Sequence, residues 1–212
     1  MNNFVLFLEA AVFIYGSFLI GKYILTYTDA RFSSLLTVVY GTLVGYGFWG
    51  FVGLLLGLLG LFDALILRLI LISIFFVSWS TIRSHYVFLR SAFFSVSVKS
   101  FFKEYSFLKV FAVLWVFLTF IIVFVPIPGY DTLDYHLPII QNIIATGALT
   151  FTPEIVKYAF LPVFAEIIYA VPLAIFNNVT DPYIFQLVQY SVAVLFILLT
   201  FFLNRFKQLL IN

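Results

Sequence analysis

The chain has 212 residues, 64% hydrophobic and 9% charged, with a net charge of +2 and a mean hydropathy of +1.17. A soluble domain carries about 25% charged residues, and no soluble fold of this length has enough interior to hide so much apolar surface. The composition therefore excludes a soluble enzyme. With no basic run to track phosphates it also excludes a nucleic-acid binder, and the absence of cysteine excludes disulfides, thiolate metal sites and a cysteine nucleophile.

A membrane-spanning helix needs about 20 apolar residues. On that rule the sequence predicts an all-α polytopic transmembrane bundle, a single membrane domain over 1–212 with about six spans. They run over 4–25, 35–61, 64–79, 110–125, 160–176 and 183–203. Met1-Asn2-Asn3 lacks the basic start of a cleavable signal peptide, so the first apolar segment reads as a permanent span. The second carries Gly41-xxx-Gly45 and Gly53-xxx-Gly57, small-xxx-small patterns that let helix backbones approach closely in lipid. Asp63 marks the break before the third span, and Pro182 suits the first turn of the sixth.

Orientation follows the basic residues. The 81–109 loop holds Arg83, Arg90, Lys99, Lys103 and Lys109 against Glu104 alone, which makes it cytoplasmic and the 126–159 loop external. Phenylalanines interleaved with those charges suit an interfacial amphipathic stretch. Counting back puts the N-terminus outside and Lys22 and Arg31 inside, in agreement with the rule. Counting forward through six spans puts Arg205 and Lys207 outside, against it. Within the external loop, Leu137 to Thr146 reads as a short interfacial helix stopped by Gly147.

That loop carries the ionisable residues. Asp131, Asp134, Tyr135 and His136 fall within six residues, after a turn fixed by Pro126, Pro128 and Gly129. A carboxylate partly desolvated at the mouth of a bundle makes a usable general base. On a helix, Asp131 and Asp134 share a face, and with His136 they offer the oxygen and imidazole ligands of a divalent cation. Asp131 reads equally well as a cap for the helix that follows. Glu166 lies two turns inside the fifth span. At that depth a carboxylate faces a polar cavity, although a glutamate near a helix end also reaches the interface. Lys157 is the one lysine in the external loop. Glu9 and Arg68 read as interfacial or paired and receive no functional role, His85 reads as a solvated loop residue, and the Asn178-Val-Thr180 sequon falls on the cytoplasmic side of a six-span chain.

The stretch Asp131-Thr-Leu-Asp134-Tyr135-His136-Leu-Pro138, followed by Gly147 and by Pro162-xxx-Glu166-xx-Tyr169, resembles the first external region of GT-C glycosyltransferases. These include protein O-mannosyltransferases, lipid A aminoarabinose transferases and bacterial mannosyltransferase-like membrane proteins. The resemblance covers roughly residues 38–205. It implies a many-helix bundle with juxtamembrane helices in the first external loop, a polyprenyl-phosphate-linked sugar donor, and inversion at the anomeric carbon. It matches Asp131 to the general base for the acceptor hydroxyl. Tyr135 and His136 match the family's aromatic and histidine positions and help shape the site. Glu166 matches the start of the next span, and Asp134 is a substitute for a second acid. Beside the resemblance, Lys157 is the external basic residue near the loop for the leaving phosphate, and all five are candidate substrate-binding residues. Many relatives carry a second acid directly after the first, where this chain has Thr132. Such enzymes are considerably longer, so the resemblance implies the N-terminal part of a larger protein, or one that works with a partner chain, in the bacterial inner membrane. A scaffold subunit derived from the same fold, and a transporter with Asp131 and Glu166 on its path, are the other readings the residues allow.

Overall fold

The computed structural model describes residues 3–28, 32, 34–79, 82, 84, 86, 87, 90, 106–123, 136–150, 164–178 and 183–211. Among them the chain is all helical, with no strand. Seven helices follow in order: α1 (Asn3–Leu25), α2 (Ser34–Leu58), α3 (Ala64–Val77), α4 (Ser106–Ile122), α5 (Leu137–Thr146), α6 (Phe164–Phe176) and α7 (Tyr183–Ile211).

The closest seam joins α1 to α2, antiparallel, through glycine. A Cβ at Gly21 would fall on the Gly41 carbonyl, and one at Gly45 on the Ser17 carbonyl. This is the small-residue contact that lets backbones approach where lipid supplies no hydrophobic drive. Further up the seam the Phe13 ring lies 6.2 Å from Tyr46 and 5.6 Å from Trp49. We call the end that holds the start of α1 and the α2–α3 turn the upper end, and the end at Lys22 the lower. The Asp63 carboxylate caps α3, accepting from the amides of Leu65 (2.7 Å) and Ile66 (3.3 Å), and sends the chain back down. Leu71 and Phe75 then pack at Gly16, so α3 runs parallel to α1.

Helix α7 is also parallel to α1. Leu187 clusters with Ala10 near the upper end, and the Ser191 hydroxyl meets Tyr46, itself level with Phe13, one turn lower at 2.5 Å. Helix α4 runs the other way, because its Val123 joins Leu187 while its Val116 carbonyl accepts from the Tyr190 hydroxyl at 2.9 Å. Helix α5 is stitched to the upper turn: Phe62 N–H donates to the Gly147 carbonyl and Leu149 N–H to the Gly57 carbonyl, each at 2.9 Å. Gly147, with φ 67°, stops α5 in the left-handed region that glycine tolerates best.

Helix α6 coincides with the described part of the expected fifth span and ends with it at Phe176; residues 160–163 of that span lie outside the described residues. Phe164 packs at Gly50 midway along α2, and Ile167 and Val171 pack at Gly53. At its far end the Ile175 carbonyl accepts from Arg68 Nε at 2.6 Å, and Asn178 Nδ2 donates to Glu9 Oε2 at 2.7 Å. Both partners lie in the upper part of α3 and α1, so the described part of α6 rises from the level of Gly50 toward the upper end.

Among the described residues only Phe4–Leu25 and Leu36–Leu58 are long and apolar enough to cross a bilayer, so six spans are more than they show. Large apolar side chains nonetheless face outward along α3 and α4, with Phe76 at 81% exposure and Phe117 at 60%. Apolar strips of that extent mark contact with lipid or protein.

The seam makes a direct prediction. Gly45→Leu should destabilise the protein by at least ~3 kcal/mol, since no rotamer clears a backbone carbonyl. Gly47→Ala, which meets nothing within 4 Å, should stay within about 1 kcal/mol of the parent. Thermal unfolding in detergent measures both.

Candidate functional site

Two expected site residues, 30 positions apart in sequence, come together. His136 is the N-cap residue of α5, and Glu166 stands in the first turn of α6. His136 Nδ1 lies 2.6 Å from Glu166 Oε1. The helix start favours a carboxylate, because the unpaired amides and the macrodipole present positive charge there. The imidazole ring is drawn onto that carboxylate and makes no side-chain cap bond to its own helix. Pro138 is tolerated early in α5, where an amide has no intrahelical partner to lose.

The pair is asymmetric. The Glu166 side chain is 4% exposed and that of His136 34%. Glu166 Oε2 is buried with no hydrogen-bond partner among the described residues. Nδ1 and Oε1 share one hydrogen bond at 2.6 Å, and His136 is the more exposed partner. Tyr169, about one helical turn beyond Glu166, packs edge-on against Phe185 of α7 with centroids 4.4 Å apart. Gly50 and Gly53 of α2 admit Phe164 and Ile167, which seats the start of α6 deeply enough to bury the carboxylate.

Asp131, Asp134, Tyr135 and Lys157 lie outside the described residues. Among the three ligands named for a divalent cation, His136 alone is described, and its Nδ1 is occupied by Glu166. No group of three or more potential metal ligands occurs among the described residues.

No family model, curated protein or solved structure matches the chain. The site must therefore be read from its own chemistry, with the loop motif as a resemblance.

The sequence marks Glu9 and Arg68 as interfacial or paired without naming their partners and gives Asn178 no part; together they hold the far end of α6. Arg68 satisfies a C-terminal carbonyl of the helix and Glu9 holds the residue that leaves it. The signal was an acid and a base inside apolar segments, each requiring a partner. The Tyr46–Ser191 bond gave no comparable signal, since hydroxyls are common in membrane helices.

A double-mutant cycle tests whether the pair is coupled. Removing the imidazole leaves a buried carboxylate without its donor, so His136→Ala should cost about 3 kcal/mol, and Glu166→Gln about 1–2 kcal/mol. The double variant should cost at least ~1 kcal/mol less than the sum, as chemical unfolding would show.

Proposed function

We propose that this protein is a membrane glycosyltransferase of the GT-C type, acting at the external face of a bacterial inner membrane on a polyprenyl-phosphate-linked sugar. One observation supports the reading most. The loop bearing Asp131, Asp134 and Tyr135 ends at His136, and His136 is tied to a buried carboxylate in the outer part of the bundle. The residue that directly follows these acids thus has a fixed attachment, and a general base needs such positioning.

In this reading Asp131 takes the proton of the acceptor hydroxyl. The oxygen attacks the anomeric carbon as the bond to the phosphate oxygen breaks, and the electron pair leaves with the polyprenyl phosphate. Attack opposite the leaving group inverts the anomeric centre.

The membrane arrangement that goes with it has five crossings: α1, α2, α3, α4 and α7, each extended by flanking residues where the helix is short. Helices α5 and α6 both belong to the external side, α6 as a re-entrant element. The helix directions support this, and so does the charge pattern. With α7 returning inward, Arg205 and Lys207 join Lys22, Arg31 and the basic 81–109 loop. Of the 11 Lys and Arg, all but Arg68 and Lys157 then lie on the cytoplasmic side. Of the nine acids, all but Asp29 and Glu104 lie on the other. The conflict left by six spans disappears.

Two measurements test these statements. Asp131→Asn in native membranes should lower sugar transfer from a polyprenyl-phosphate donor by at least about 100-fold; undiminished transfer would remove the base assignment. The chain has no cysteine, so single cysteines report their side cleanly. A membrane-impermeant maleimide should label Thr150→Cys in intact spheroplasts and Lys207→Cys only after permeabilisation. Labelling of both from outside would restore six crossings.

A further inference from the structure

We propose that the groove between α1 and α3 is a lipid site, holding one acyl chain of an anionic glycerophospholipid from the cytoplasmic leaflet, with the phosphate at the lower rim; the choice of leaflet rests on the crossings proposed above. The groove has a volume of about 530 Å³, within the range of small-molecule sites, about 300–1,000 Å³. Ile66, Ile70, Ile74 and Val77 line it on α3, and Ile20 and Tyr23 on α1. Spacings of three and four residues keep the α3 side chains on one helix face. The Ser73 hydroxyl, midway along that face, donates to the Leu69 carbonyl at 2.7 Å, so its proton is spent within α3. What the groove offers along its length is hydrocarbon, and hydrocarbon is what fits it.

Length and level suit a lipid chain. From Ile66 to Ser78 the groove follows about 18 Å of helix. The hydrocarbon of one leaflet is about 15 Å deep, half of a core of about 30 Å. A chain anchored at the lower rim therefore fills the groove from end to end. Aromatic residues of the kind that sit at the membrane surface mark that rim. The Tyr23 and Tyr27 hydroxyls share a hydrogen bond at 2.7 Å, and the exposed Trp79 follows Ser78.

Charge selects the headgroup. Lys22 stands in the last turn of α1, directly before Tyr23, with its ammonium 6.0 Å from the centre of the Phe18 ring. In the five-crossing arrangement Arg31 and the basic 81–109 loop lie on the same side, and the acids there are Asp29 and Glu104 alone. Basic residues clustered at the cytoplasmic surface attract anionic lipid headgroups.

The test is native mass spectrometry of the full chain in detergent, titrated with phosphatidylglycerol or with phosphatidylethanolamine of the same acyl chains. One phosphatidylglycerol should be retained at least about fivefold more tightly than phosphatidylethanolamine. Ile70→Trp, which puts bulk into the groove, should weaken both lipids by at least about tenfold. Ser73→Phe should do the same, and it decides the matter if Ile70→Trp fails to fold. Ile72→Phe, at an exposed position outside the groove, should bind like the parent. Lys22→Gln should bring phosphatidylglycerol to within about twofold of phosphatidylethanolamine. Equal retention of the two lipids by the parent overturns the proposal, and so does unchanged binding in the groove variants. Ready disulfide formation between copies of Ser73→Cys in native membranes would give the groove to a second copy of this chain and overturn it as well. None of these readouts involves Asp131 or sugar transfer, so the lipid site and the transferase reading fail separately.

Discussion

The placement of α6 depends on where its polar groups find partners in a setting without water. Each end of a helix leaves backbone groups unpaired, and in an apolar medium each such group costs several kcal/mol. Here the C-terminal carbonyl of Ile175 is met by Arg68, the exit residue Asn178 is held by Glu9, and the carboxylate at the start is met by His136. All three partners come from other helices. Tied in this way, the described part of α6 is held against α1, α3 and the start of α5, with its C-terminal end at the upper side of the bundle.

Such ties need a rigid frame, and the α1–α2 seam supplies it. Glycines there let two backbones meet at carbonyl distance, and Phe13, Tyr46 and Trp49 fill the space above them. The same helix, one face further round, uses Gly50 and Gly53 to accept Phe164 and Ile167 of α6. One glycine-rich helix thus sets two separations, the close one that fixes α1 and the one that sets how deeply Glu166 is buried. Bulky side chains at either set would move the carboxylate relative to the loop that meets it.

What the sequence disclosed follows the same physics. The short helix α5 and its stop were legible because apolar periodicity and Gly147 are local signals, and Leu137–Thr146 is where the helix lies. The glycine pairs of α2 were legible as a packing face for the same reason. The end of α6 at Phe176 was legible as the close of the apolar segment 160–176. The ties that hold that end were not, because they come from Glu9 and Arg68, more than 100 positions away in sequence. Glu166 was marked by its depth alone, and nothing local could name His136 as its partner.

The charge pattern carries a chemical consequence for the site. If nearly all acids gather on the external side and nearly all lysines and arginines on the other, the external face repels phosphate groups before any ligand is seated. A transferase using a phosphate-linked donor there needs a cation that is local, short-ranged and protected from competing carboxylates. An exposed lysine would be drawn to the nearest acid. His136 is already committed at Nδ1 to the buried Glu166, so the carboxylate that is hardest to bury in a membrane helix is met at a fixed geometry by the residue that follows the acidic loop.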